Sequence, residues 1–239
     1  MPEERFDFTR QEGFFKDNEK LNKPLKFLVC GAGAIGSALV SEIYRLFPEV
    51  TVLLVDFDRV EPVNLNSTKY FPHHVGQFKV HACRNMFKRK GFKIVPKIGW
   101  VGLPVEGFQE ADLDRDLDDL DALFLCVDRM DVRKAIFEKV DPYTRGVDCV
   151  DGRIGKWHIA VYKNPNPGLF DSPEGELPCN FRQTTFTGGM TANLMLSSFV
   201  SCQRKVAHRF NLQTQQYFNV LSPDDMEMFH ADLSEAQVE

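Results

Sequence analysis

Gly31, Gly33 and Gly36 form a G-x-G-x-x-G pattern in GAGAIG, between an apolar run and a helical pattern. In that context the first glycine permits a tight turn and the second lets the backbone approach a phosphate. The third allows close packing, and the following helix N-terminus stabilises an anion. Twenty residues after Gly36, Asp56 closes the next apolar run, where a carboxylate accepts hydrogen bonds from ribose hydroxyls. This is nucleotide-binding chemistry, and alone it favours an NAD-dependent dehydrogenase. Asp128 follows another apolar run, so it projects from the carboxyl end of a strand, where open α/β sheets bind ligands. Lys79 opens a basic helical segment, a suitable place for a phosphate-binding ammonium. His73 and His74 have no metal-ligand partner at helical spacing and are expected at the surface.

The elements that must position these groups alternate. Strands are expected at Lys26–Cys30, Thr51–Val55, Lys93–Ile98, Ala122–Val127 and Arg145–Val150. Their continuous apolar runs suit a parallel sheet buried on both faces. Helical patterns follow the glycine loop, run from about Gln77 to Lys90, and span Asp131–Val140. Asp131 there complements the helix dipole. Ala111–Leu120 reads as an acidic solvated face. After residue 150 the pattern changes. Gly155–Tyr162 alternates like an antiparallel strand, Lys163–Pro178 is rich in proline and glycine, Phe186 to about Phe210 reads as a long helix, and Gln215–Val220 as a last strand. The expected class is α/β, a Rossmann-like sheet that is mostly parallel, with antiparallel strands in the C-terminal part and helices on both faces. The domain plan is an N-terminal arm over 1–25, one domain over 26–221 and an acidic tail over 222–239. The arm is expected to stay out of the core.

Composition narrows the functional classes. The chain has 239 residues, 43% of them hydrophobic and 26% charged, which is ordinary for a globular protein. A chain of this length buries roughly 70% of its unfolded surface without needing disulfides or metal. The net charge of −5 argues against a nucleic-acid partner, which requires a basic face. The charged N-terminus carries no apolar signal segment, and no stretch matches the apolar run that a bilayer span requires. A cytoplasmic protein is expected. The six cysteines, at 30, 83, 126, 149, 179 and 202, never form C-x-x-C, so no structural zinc is expected.

The residues after Asp56 redirect the reading. DFDRVEPVNLNSTKYFPHHVGQFK resembles the ThiF/MoeB/HesA superfamily, the ubiquitin-activating-enzyme fold, in which D-x-D-x-V-x-x-x-N-L precedes a V-G-x-x-K element. The resemblance runs from the N-terminal arm to the helix near residue 200. It implies an enzyme that uses ATP and magnesium to adenylate the C-terminal carboxyl of a ubiquitin-like or sulfur-carrier protein. By the same resemblance, Gly31, Gly33, Gly36 and Asp56 bind the nucleotide, Asn64 and Lys79 hold the phosphates, and Asp128 is the magnesium-associated carboxylate. Cations on the developing charge and the leaving pyrophosphate suit attack of a carboxylate on the α-phosphate. One carboxylate suffices for magnesium, since phosphate oxygens supply further ligands. R-F-D-F-T-R-Q at 5–11 is similar to the family's R-Y-x-R-Q element and implies that Arg10 reaches the partner's ATP across a homodimer. One departure is Ser67, where many members carry a phosphate-contacting arginine; Lys69 is a candidate replacement, without the bidentate fork.

Two assignments stay open. Cys179, in P-C-N-F-R after the Pro/Gly-rich crossover at about 163–185, either accepts the acyl group as a thioester or packs the crossover; a nearby helix N-terminus and Arg182 would lower its pKa. Asp151 and Arg153, in DGRIG, either line a channel for the incoming C-terminal peptide or form a structural salt bridge or turn. Asp58 is a turn carboxylate or a supporting one. The other five cysteines are structural. The alternatives to the adenylating enzyme are an NAD(P)-dependent oxidoreductase and a non-catalytic partner subunit of an activating enzyme.

Overall fold

The computed structural model describes residues 7–9, 15, 18–113, 115–155, 158–171, 185–201, 204–211 and 216–220. Arg10, Cys179 and the acidic tail lie outside the described residues. Eight strands form one sheet in the order β3-β2-β1-β4-β5-β6-β7-β8. The first five are β1 (Leu25–Cys30), β2 (Val50–Val55), β3 (Phe92–Lys97), β4 (Ala122–Leu125) and β5 (Asp148–Ile154). They pair in parallel, with Cys30 beside Val55 on one flank and Leu125 on the other. β6 (His158–Lys163), β7 (Val206–Asn211) and β8 (Gln216–Val220) continue the sheet antiparallel. The fold class is as expected.

Two cores explain why the parallel strands read as unbroken apolar runs. In β1, Phe27 and Val29 join one cluster while Leu28 and Cys30 join the other. The first cluster is covered by α1 (Ala34–Leu46), α2 (Lys79–Met86) and α5 (Thr185–Val200), and the second by α3 (Met130–Val140). Phe27 lies at the centre of the first cluster, with ring centroids 5.4 Å from Phe47, 5.4 Å from Phe124 and 5.1 Å from Phe199. Edge-on packing of this kind adds to the area that the rings bury. A short helix, α4 (Pro142–Arg145), leads into β5.

Four expectations change. The helix expected over 186–210 is α5 followed by a separate strand, β7. Pairing with β6 decides that strand, and residues 206–211 carry no local break signal strong enough to announce it. In the segment expected as a solvated face, Leu113, Leu117 and Leu120 are buried in the second core. Its described charged residues lie toward the outside, and Asp116 and Asp119 pair there with Lys26. His74 is buried rather than superficial, and its Nδ1 accepts from the Phe71 amide at 3.0 Å. The described part of the N-terminal arm is anchored, since Phe15 and Leu21 are buried in the first core and Lys20 pairs with Asp148.

Candidate active site

The strand order reverses between β1 and β4, so the connections leaving these strands diverge and open a crevice at their carboxyl ends. A cavity of about 970 Å³ occupies that crevice. The glycine loop forms its floor. Gly31 has φ +96°, and a Cβ there would sit 2.7 Å from the Cys126 carbonyl oxygen. A Cβ on Gly36 would collide with the carbonyl oxygen of Gly31, whereas one on Gly33 would meet nothing within 4 Å. The loop is thus closed on its protein side by Gly31 and Gly36 and open on its cavity side at Gly33. Gly33 is also the N-cap of α1, with no side chain capping the helix and no acid in its first turn. Its first amides remain available to an anion, with the helix dipole behind them.

Asp56 ties the end of β2 to this loop. One carboxylate oxygen accepts from the Ala32 amide at 2.7 Å, and the other from the Asp58 amide at 2.7 Å. Burial raises its pKa, opposed chiefly by Lys79. Tyr70, to which the sequence reading gave no role, supports the loop from below. Its buried hydroxyl donates to the Ala32 carbonyl at 2.6 Å and lies 3.4 Å from the carbonyl of Lys79. Ala32 is therefore held at both its N–H and its C=O.

Lys79 begins α2, is buried, and donates to Asp58 at 2.7 Å. Burial alone would lower its pKa, but Asp56, Asp58 and Glu61 carry it above the ordinary value. It therefore stays an ammonium inside the cavity. Asn64 lies in a short 3-10 turn over Pro62–Asn66, where its Oδ1 accepts from the Glu61 amide at 3.0 Å. Ser67 also lines the cavity; Lys69 is not among the lining residues. Asp128 stands exposed between β4 and α3, lines the cavity, and is followed by Arg129, which forks onto Asp131. The structure thus brings Gly31, Gly33, Asp56, Asn64, Lys79 and Asp128 to one cavity.

The far wall holds a buried ionic group. Asp151 is fully buried, with one carboxylate oxygen taken by Arg133 and the other by Arg153 at 2.7 Å. This meets the salt-bridge reading of Asp151, while Arg153 itself reaches the cavity. Arg133 was not singled out from the sequence. The available signal was its place in the otherwise apolar stripe Met130, Ile136, Phe137 and Val140 of α3, where only a paired charge is tolerated. Cys30, Cys83, Cys126 and Cys149 are buried free thiols. Burial pushes Cys83 and Cys126 up to about 12, so they are inert as nucleophiles.

A model of the ThiF family matches residues 8–171. The chain belongs to the ThiF family. Members share the E1-like adenylyltransferase fold and carry out ATP-dependent adenylation. That placement displaces the oxidoreductase reading of the glycine loop. A comparison with curated protein sequences finds no match. Among solved structures, PaaA superposes on this ThiF chain with a TM-score of 0.62 at 18% identity, over 90% of the chain and 68% of PaaA. E. coli MccB with ATP gives 0.62 at 14% identity, over 86% of the chain and 66% of MccB. The E. coli tRNA N6-threonylcarbamoyladenosine dehydratase TcdA gives 0.59 at 12% identity, over 81% of the chain and 93% of TcdA. At these identities the likeness is one of fold. The chain spans about two thirds of the length of PaaA and MccB.

Proposed function

We propose that this ThiF protein adenylates the C-terminal carboxyl of a ubiquitin-like or sulfur-carrier protein, using ATP and magnesium. The observation that carries the reading is the buried Lys79 ammonium on the same cavity as the uncapped α1 N-terminus and Asp56. A dinucleotide site needs the glycine loop and the acid; a buried cation among the phosphates suits a reaction in which pyrophosphate leaves. Asp56 would accept from the ribose, the α1 amides and Asn64 would receive phosphate oxygens, and Lys79 would neutralise charge as it develops. A carboxylate oxygen of the acceptor attacks the α-phosphorus, the bond to the bridging oxygen breaks, and pyrophosphate departs to leave an acyl-adenylate.

The donor set fits magnesium. Asp128 presents an exposed carboxylate to the cavity, and no group of three or more metal-ligating side chains occurs among the described residues. That suits an ion held by one carboxylate and phosphate oxygens. Bound magnesium would supply charge neutralisation on the pyrophosphate. Arg10 would act across a homodimer, and Cys179 would take the acyl group as a thioester with release of AMP. The setting is cytoplasmic, and among the described residues no helix is long and apolar enough to cross a membrane.

The test is ATP–pyrophosphate exchange with a panel of carrier proteins ending in Gly-Gly, alongside calorimetric titration with ATP and NADH. Carrier-dependent exchange supports the reading. NADH binding without ATP binding would return the oxidoreductase, and absence of binding and exchange would indicate a non-catalytic partner subunit.

A further inference from the structure

Arg153 stands apart from the groups that serve the nucleotide. β5 lies two strands from β1 on the side away from β2, which at strand spacing is about 10 Å beyond the glycine loop. Asp56, the loop, Asp128 and Arg153 therefore follow one another across the crevice. A group bound at Arg153 lies on the far side of the phosphates from the ribose.

The guanidinium there is built to receive something. Its carbon lies 5.0 Å from the Tyr162 ring and 5.9 Å from the Phe170 ring, and its Nε is fixed on Asp151 at 2.7 Å. Behind it Arg133, with only a few per cent of its surface exposed, donates to Asp151, to the Val127 carbonyl, to Leu125 at 3.3 Å and to Gly152 at 3.0 Å. Despite these contacts, Arg133 Nε and Arg153 Nη2 are buried and have no hydrogen-bond partner among the described residues. Buried donors are almost always satisfied, and both arginines belong to the wall of the cavity. Two guanidiniums share one carboxylate, so the cluster keeps one net positive charge. An oxyanion would balance that charge.

We infer that Arg153, held by Asp151 and Arg133, forms an oxyanion subsite that receives the acceptor's carboxylate. This rests on the adenylation reading and names the group that would orient the attacking carboxylate. A flat guanidinium packed near two rings and fixed at Nε by a carboxylate has the planar fork that suits a carboxylate.

The same chemistry would attract a phosphate, so the experiment separates the two. Protein labelled with 15N-arginine is titrated, with AMP bound, with N-acetyl-glycylglycine, with its C-terminal amide and with inorganic pyrophosphate. ATP affinity is measured in parallel by calorimetry. The carboxylate should shift the Arg153 Nε–H resonance saturably, and the amide should not. Arg153→Gln should weaken the carboxylate about tenfold or more, with ATP affinity nearly unchanged. Arg153→Lys, which keeps the charge without the fork, should fall between and guards against misfolding of the glutamine variant. Equal shifts with the amide, or unchanged carboxylate affinity in a folded Arg153→Gln, would overturn the subsite. A variant that loses pyrophosphate and ATP affinity instead would reassign it to phosphate. Should the wild type bind the carboxylate at Arg153 yet bind no ATP, the adenylation reading falls and the subsite stands.

Discussion

Electrostatic position, more than side-chain identity, separates the acidic residues in and behind this cavity. Asp56 has both oxygens on backbone amides, Asp151 has both on arginines, and Asp58 pairs with Lys79. Asp128 is exposed on the cavity, and its carboxylate is held by no comparably close partner among the described residues. It is accordingly the one suited to an ion that brings most of its own ligands. We expect Asp128→Asn to keep the fold, since no packing is lost, and to lower magnesium-dependent exchange by about two orders of magnitude. Near-normal exchange in a folded variant would remove Asp128 from the reaction. Cys179 belongs to the same scale. The four buried thiols are too basic to react, with Cys83 and Cys126 near 12. Cys179→Ala should therefore leave adenylate formation intact and abolish a carrier adduct that reducing agent cleaves, compared on reducing and non-reducing gels. An adduct that persists in the alanine variant excludes the thioester at Cys179.

At the scale of the element, the glycine loop separates two uses of the same residue type. A methyl group on Gly36 would run into the backbone of Gly31, a contact that no rotamer change relieves. Gly36→Ala should therefore cost about 1–3 kcal/mol of stability by urea denaturation and weaken ATP binding with it. At Gly33 the added methyl meets open space. Gly33→Ala should cost less than Gly36→Ala, at most about 1 kcal/mol for the poorer N-cap, while still weakening ATP, because the methyl group stands where phosphate approaches. Equal destabilisation of the two variants would contradict this division. α5 packs onto the same helix, since a Cβ on Gly188 would lie 2.6 Å from the Ala34 carbonyl oxygen. The small residues near the start of α5 allow that approach.

For the whole molecule, histidines held below their ordinary pKa contribute to the response to acid, among them His158, lowered by burial and by Arg209. Burial lowers the pKa of His74, assisted by His73, and burial alone lowers that of His208, both from 6.5. The folded chain protonates them less readily than the unfolded chain, which binds protons once pH falls toward 6.5. Stability should thus be full above that value and decline as pH falls through it. Asp56, raised from 3.8, acts in the opposite sense at lower pH. A His74→Gln, His208→Gln variant isolates the effect. Urea denaturation between pH 7.5 and 5.5 should give a flatter dependence in the variant, and equal slopes would refute the assignment. Assembly is tested by complementation. If Arg10 serves the partner's site, mixing Arg10→Ala with Lys79→Ala should restore one competent site per heterodimer. A mixture as inactive as its parents would exclude action in trans.

Local chemistry was enough to place the glycine loop, Asp56, Lys79 and Asp128, because each stands at the junction of an apolar run with a helix. Such junctions depend on neighbouring residues and on the rule that α/β sheets bind at strand ends. The parallel strands were equally legible, since burial on both faces leaves an unbroken apolar run. The family motifs D-x-D-x-V-x-x-x-N-L and V-G-x-x-K carried the distinction from a dehydrogenase. What needed the tertiary structure were features made by residues far apart in the chain. β7 exists because β6 offers it an edge, and Leu113, Leu117 and Leu120 are buried because α3 and the sheet leave them a face to cover. His74 is buried beside Tyr70 and Phe71, and Tyr70 in turn reaches back to Ala32. The pairing of Arg133 with Asp151 and Arg153 crosses from a helix to a strand. Its unpartnered donors become visible only when every neighbouring acceptor has been placed, because hydrogen-bond satisfaction is a property of the packed molecule.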